Sequence, residues 1–290
     1  MHFLSLKDLS REDFLRLFDK ADLIKADRRH FGSLLKGKTI ALLFEKPSLR
    51  TRVSFEVGIN NLSGRPLYLS QHEVQLGSRE SISDVARVLS GYTDGIIIRT
   101  FAHATIEEFA KSSSVPVING LTDMYHPAQV LSDYYTIVRK KGDTRKLKIV
   151  YVGDGNNMCN SLITGASKLG NSLVVACPEG YEPAALDGDV MLESNPAVAL
   201  RDADVVYTDV WTSMGCEAES AKRKAAFSGF QLNSELLNYA KHDVLVMHCL
   251  PAHRGEEITD DVVDGPNSIV FEQAQNRLYV QQALMTEIFA

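Results

Sequence analysis

Ile40-Ala41-Leu42-Leu43-Phe44-Glu45-Lys46-Pro47-Ser48-Leu49-Arg50-Thr51-Arg52 couples five apolar residues to a polar, basic turn. The apolar run is too short for a helix of ordinary length and reads as a buried strand. Beyond Pro47 the chain turns. The periodicity from Val53 to Leu62 is ambiguous, and a helix suits the strand-then-turn context better than its own pattern does.

The same grammar recurs outward from this stretch. Gly95-Ile96-Ile97-Ile98 predicts a second buried strand ending at Arg99. Val115 to Asn119 predicts a third, in which Pro116 favours an edge or a strand start. Upstream, Ser10 predicts an N-cap with Asp13 in the acidic capping role, before a helix whose face carries Phe14, Leu17, Phe18 and Ala21. A long helix is expected to open at His126-Pro127, with Val130, Leu131, Tyr134 and Val138 on its apolar face. Arg139-Lys140-Lys141-Gly142-Asp143 ends it and marks a domain boundary. The second half predicts strands at Lys148–Val152, Ser172–Ala176, Val205–Thr208, Val244–Met247 and Ser268–Phe271, alternating with helices. The expectation is therefore an α/β chain of two domains, 1–140 and 146–274. Each holds a largely parallel sheet flanked by helices, and a final helix over 275–290 returns to the first domain.

A chain of 290 residues has room for two such cores, and 44% hydrophobic with 23% charged residues is an ordinary globular balance. The formal charge of -6 argues against bulk nucleic-acid binding and requires local cations wherever an anion is to be held. No apolar stretch is long enough to span a bilayer. Met1-His2-Phe3-Leu4-Ser5-Leu6 leads straight into charged residues, unlike a secretory signal. Cys159, Cys177, Cys216 and Cys249 are scattered without metal-ligand spacing, so no metal is predicted and a reduced, cytoplasmic chain is expected.

In the opening stretch, two hydroxyls, two guanidiniums and a row of backbone N–H groups fall at a predicted helix start. Orphan amides, helix dipole and arginine forks together suit a dianionic phosphate. The glycines of an ATP-binding P-loop are missing. Arg99 ends a strand, where α/β sheets collect ligands. His126 and Gln129 share one face of a helix start. The competing readings are surface charges for Arg50 and Arg52 and a capping or packing role for His126.

Ser48-Leu49-Arg50-Thr51-Arg52 and His126-Pro127-Ala128-Gln129 resemble the two signatures of the aspartate and ornithine carbamoyltransferase superfamily. The resemblance implies that Ser48, Leu49, Arg50 and Thr51 cradle the phosphate of carbamoyl phosphate. It implies that Arg99 binds phosphate and carbonyl, that His126 polarises the carbonyl, and that Gln129 binds the carbamoyl amine. Leu49 departs from the commoner threonine or methionine, at a position that contributes mainly backbone. Gln75 matches a loop completing the phosphate site of a neighbouring subunit, which implies a homotrimer, or a multiple of trimers, with shared sites.

Gly153-Asp154-Gly155-Asn156-Asn157-Met158 follows a predicted strand and invites a dinucleotide reading. It lacks the third glycine, and the next strand has no acid at its end to hold a ribose. Asn156 and Asn157 can instead donate to a carboxylate or close the turn. Asp209, after Val205–Thr208, can fix an ammonium group or cap a helix, and Trp211 can simply pack. His248 and Cys249 are neighbours on a strand and point to opposite faces, so a thiol nucleophile activated by that histidine is not implied. These segments resemble the ornithine branch of the superfamily. There Asn157, Asp209, Ser213 and Met214 would hold the α-carboxylate and α-amino groups of L-ornithine. Cys249 and Leu250 would lie near the reacting centre and contribute to the carbamoyl phosphate site, as would Arg277, which reaches the carbonyl.

The implied chemistry is attack by the neutral δ-amine of ornithine on the carbonyl of carbamoyl phosphate, with domain closure excluding water. It needs no cofactor, metal or covalent intermediate. Alternatives are transfer to putrescine or an acylated ornithine, and a catalytically silent regulatory homologue.

Overall fold

The computed structural model describes residues 1–27, 31–213, 215 and 217–289. The chain divides into two compact units: Met1–Tyr135 with Gln275–Ala290, and Thr136–Ala274. Both crossings between units fall inside helices, Pro127–Lys141 and Val270–Ile288. No described helix is long and apolar enough to cross a membrane.

The first unit is built on β1 (Thr39–Phe44), β2 (Arg65–Ser70), β3 (Gly95–Arg99) and β4 (Val117–Leu121). All pair in parallel, in the order β2-β1-β3-β4. The central pair is continuously apolar because helices cover a parallel sheet on both faces; Ala41, Leu43, Ile96 and Ile98 join one core with Phe109 of the helix His103–Ser112. Pro116 lies just before the edge strand β4, where its missing donor breaks no ladder bond. Ser10 and Asp13 form the expected capping box: the Ser10 hydroxyl accepts from Asp13 N at 3.2 Å and Asp13 Oδ2 from Ser10 N at 2.9 Å. Val53–Leu62 is helical within Arg50–Asn61. The edge strand β2 is absent from the sequence reading, since Pro66 at its second position imitates a loop.

The second unit carries β5 (Lys148–Val152), β6 (Ser172–Ala176), β7 (Val190–Glu193), β8 (Val205–Thr208) and β9 (Leu245–His248). They pair in parallel in the order β7-β6-β5-β8-β9. Ser268–Phe271 is not the fifth strand. Ser268 makes one isolated bridge to Val246, and the helix Val270–Ile288 has begun by Val270. A short apolar run fits a buried helical turn as well as a strand, and periodicity cannot separate them. The fifth strand is β7, whose Met191 and Leu192 are exposed at the sheet edge.

From Gln275 onward the last helix belongs to the first unit. Its Glu287 pairs with Lys20, and Asn276 accepts from Lys25 Nζ at 3.2 Å. Phe289 follows it, buried, with its carbonyl held by Lys38. At Gly95, the first residue of β3, an added Cβ would lie 2.4 Å from the Phe289 ring, so only glycine leaves room for this plug. Phe289→Ala is expected to destabilise by about 3–5 kcal/mol through the cavity it leaves. Urea unfolding followed by fluorescence should show a lower midpoint for this variant.

Candidate active site

Parallel connections bring every strand's C-terminal end to one edge of its sheet, and ligands gather where the strand order reverses. In the first unit that reversal lies between β1 and β3. The loop after β1 runs through Ser48 into the helix Arg50–Asn61, and β3 ends at Arg99. The Ser48 hydroxyl accepts from Thr51 N at 3.2 Å and orders the first turn. The register slips at the end of β3: Ile98 faces Asn119 while Arg99 faces Leu121, leaving Gly120 as the extra residue. A Cβ at Gly120 would sit 3.1 Å from the Ile98 carbonyl oxygen, so glycine permits the bulge. Bulges of this kind re-aim a side chain beside a site.

Arg277 Nη2 donates to the Thr51 hydroxyl at 2.8 Å, joining the last helix to the turn after β1. His126, buried where the helix Pro127–Lys141 begins, is held well below the usual histidine range. Burial is the main cause, followed by the positive charges of Arg277 and Arg99. The imidazole is therefore uncharged at neutral pH. Neither this helix nor Arg50–Asn61 has an acid in its first turn, so both positive helix ends reinforce the guanidiniums. Gln129 donates from Nε2 to Asp133 Oδ1 at 2.9 Å, while its buried Oε1 accepts no hydrogen bond among the described residues. Arg50 is half-buried and Leu49 exposed. Gln75 is also exposed, in a left-handed conformation at the end of the short helix Gln71–Val74, and takes no part in the Thr51–Arg277 hydrogen bond.

The sequence reading passed over Lys46. Its side chain is 5% exposed, pairs with Asp123, and lies 4.4 Å from the centre of the Phe101 ring. That contact ties the turn after β1 to the loop leading into His126. A lysine inside a basic turn gives no sign in sequence that its partner lies 77 residues away.

In the second unit the strand order reverses between β5 and β8. Asp209, just beyond β8, is buried, but no helix starts there, so it is not a cap. Its Oδ2 accepts from Asn156 Nδ2 at 2.8 Å, and its Oδ1 accepts from Val210 N and Cys249 Sγ, each at 2.8 Å. Asn156 caps the helix Asn157–Leu169, its Oδ1 accepting from Met158 N at 2.9 Å and Cys159 N at 3.2 Å. Asn156 therefore braces Asp209, and Asn157 begins the helix proper. Trp211 packs on Phe227 with ring centres 5.9 Å apart. Ser213 is half-buried on the same loop, and Met214 and Cys216 lie outside the described residues.

The two glycines before Asn156 serve the chain itself. Gly153 has φ 147°, and a Cβ at Gly155 would lie 2.3 Å from the backbone of Glu182 and Pro183. Tyr181 accepts the Gly155 N–H at 2.8 Å. The approach that a dinucleotide phosphate would need is filled by this segment.

His248 and Cys249 face different partners. The ring of His248 accepts from Leu250 N at Nδ1, 2.8 Å away, and meets Glu257 Oε1 at 3.1 Å through Nε2. Asp209, His248 and Cys249 have donor atoms within 4.8 Å of one another. Both ring nitrogens are already engaged, so the histidine has no lone pair to offer a metal. Cys159, Cys177 and Cys249 carry thiols rather than disulfides. Burial raises the Cys159 thiol well above its usual range and Cys177 to about 11, which leaves both unreactive.

Residues 1–139 match the family model described as aspartate/ornithine carbamoyltransferase, carbamoyl-P binding domain. Residues 145–288 match the Asp/Orn binding domain of the same family. The chain is 52% identical to an ornithine carbamoyltransferase of Thermococcus kodakarensis, over 97% of this chain and 94% of that protein. It is likewise 52% identical to one of Syntrophus aciditrophicus, over 97% of each. The solved ornithine carbamoyltransferase of Pyrococcus furiosus superposes with a TM-score of 0.94 at 48% identity, covering 99% of this chain and 96% of that one. With both halves matched and relatives this similar along its whole length, the chain belongs to the aspartate/ornithine carbamoyltransferase family.

Proposed function

We infer that the protein transfers the carbamoyl group of carbamoyl phosphate to the δ-amine of L-ornithine, giving L-citrulline and phosphate. The relatives named above support the reaction, and one observation supports the acceptor: Asp209, a buried carboxylate at the strand reversal of the second unit. An acid there favours the α-ammonium of an amino acid with a cationic side chain. It disfavours aspartate, whose second carboxylate it would repel. Putrescine offers no α-carboxylate or α-ammonium for Asn157, Ser213 and Met214 to hold.

In this reading Ser48, Arg50, Thr51 and the backbone at Leu49 bind the phosphate of the donor, and Arg99 binds phosphate and carbonyl. Gln129 takes the carbamoyl amine, for which its Oε1, accepting no hydrogen bond among the described residues, is a suitable acceptor. Arg277 and uncharged His126 donate to the carbonyl oxygen. Cys249 and the Leu250 backbone act near the reacting carbon. The neutral δ-amine forms the C–N bond as the bond from carbon to the phosphate oxygen breaks. Phosphate leaves with the electron pair and accepts the amine proton. Charge developing on carbonyl and phosphate oxygens is met by groups already in place, so little reorganisation is needed as it grows. We further propose a trimer in which Gln75 serves a neighbouring subunit's phosphate site, consistent with its exposure. We also propose a cytoplasmic setting, consistent with the three thiols.

Arg50→Ala should lower kcat/KM for carbamoyl phosphate by roughly 100-fold or more in a folded protein. Steady-state citrulline assays measure this, and unchanged donor kinetics would remove Arg50 from the site.

Mixing dissociated Arg50→Ala and Gln75→Ala chains should restore part of the activity, because some reassembled sites carry both native residues. Mass spectrometry identifies the mixed oligomers. No recovery in them, with each parent defective, would place each complete site in one chain.

Asp209→Asn should reduce ornithine kcat/KM by about 2–5 kcal/mol while isolated donor binding stays near normal. An amine panel of ornithine, N-acetylornithine and putrescine, assayed at the pH optimum, tests the acceptor assignment. Preference of the native enzyme for either alternative amine overturns it.

A further inference from the structure

Asp209 is held partly by Cys249, and Cys249 is followed by a residue in an unusual conformation. Leu250 has φ 56°, in the left-handed region that an L side chain resists. Its backbone N–H donates to His248 Nδ1 at 2.8 Å. A backbone amide is always the donor, so Nδ1 carries the lone pair and the ring proton sits on Nε2. That proton points to Glu257 Oε1 at 3.1 Å. The same oxygen accepts from His253 N at 2.5 Å, so the carboxylate is fixed from two directions. Both side chains are wholly buried. The other face of the strand end is pinned as well, with His248 N donating to Gln273 Oε1 at 3.0 Å.

We propose that Glu257 is a positioning residue for the acceptor half of the site, acting through a fixed Nε2–H tautomer of His248. Glu257 sets the tautomer, the tautomer holds Leu250 in its left-handed turn, and the turn directs Cys249 Sγ to Asp209 Oδ1, 2.8 Å away. The requirement is for an acceptor atom at the distance Glu257 reaches. Charge is secondary, because Oε2 is buried and accepts no hydrogen bond among the described residues. The opposite tautomer would set a ring N–H against the Leu250 N–H, and the turn would lose its anchor.

The inference rests on the carbamoyl-transfer reading for its acceptor role, while the tautomer stands on geometry alone. Two variants separate reach from charge. Glu257→Asp keeps the charge but withdraws the oxygen by one methylene; Glu257→Gln keeps the reach and drops the charge. Glu257→Asp is expected to raise the ornithine KM about tenfold or more, since a displacement of roughly 1 Å at a site can cost about 100-fold. Glu257→Gln should stay within about fivefold of the native kcat/KM for ornithine, the difference between a charged and a neutral hydrogen bond. In both variants carbamoyl phosphate affinity should fall much less than ornithine affinity, because Ser48, Arg50 and Thr51 follow β1 and do not depend on this turn. In the native protein labelled with nitrogen-15 histidine, NMR should show the Nε2–H tautomer at His248. An Nδ1–H tautomer, an unchanged ornithine KM in Glu257→Asp, or donor affinity falling in step with ornithine would overturn the inference alone. No citrulline from the native protein would instead overturn the carbamoyl-transfer reading, and with it the acceptor role given to Glu257.

Discussion

Parallel strand pairing is the constraint on which everything else in this protein rests. A parallel neighbour requires a crossover back to the starting edge, so each sheet must be covered by the helices that make the crossovers. The strands then become apolar throughout, as in Ile40 to Phe44 and Ile149 to Val152. Their C-terminal ends all emerge on one edge, and polar residues stranded there have nowhere to be but together. The reversal of strand order in each unit opens a gap between diverging loops. Ser48 and Arg99 flank the first gap, Asn156 and Asp209 the second.

The two gaps solve opposite electrostatic problems. In the first unit, helix N-termini and the guanidiniums of Arg99 and Arg277 concentrate positive potential, and His126, chiefly through burial and then through those two charges, stays a neutral imidazole. A neutral imidazole adds a directional donor without adding to the repulsion. In the second unit one buried carboxylate, Asp209, is surrounded by the Asn156 amide, the Val210 N–H and the Cys249 thiol. None of the three is a cation. The carboxylate is therefore solvated by dipoles that fix its orientation without cancelling its charge, as recognition of an ammonium group requires.

Where strands and their loops are concerned, the sequence was legible because the signals are local. Apolar runs, a proline at an edge and the Ser10–Asp13 box each express a preference settled within a few residues. The residues at strand ends were legible for the same reason: Ser48, Arg50 and Thr51 follow β1 directly, and Asp209 follows β8. Reading failed where one local signal serves two structures. Ser268–Phe271, expected as a strand, enters a helix at Val270.

By itself the sequence determined the α/β class, most strand positions, and the chemical character of each loop, because these depend on side-chain type and short-range periodicity. Tertiary structure alone decided the partnerships. Arg277 meets Thr51 across 226 positions, Lys46 meets Asp123 across 77, and Cys249 meets Asp209 across 40. In Glu256-Glu257 two identical side chains stand side by side; one pairs with Lys224 near the surface and the other is sealed against His248. Nothing in the residue type distinguishes them. A hydrogen bond senses distance and direction, and those exist only once the sheet has brought its strand ends to a common edge.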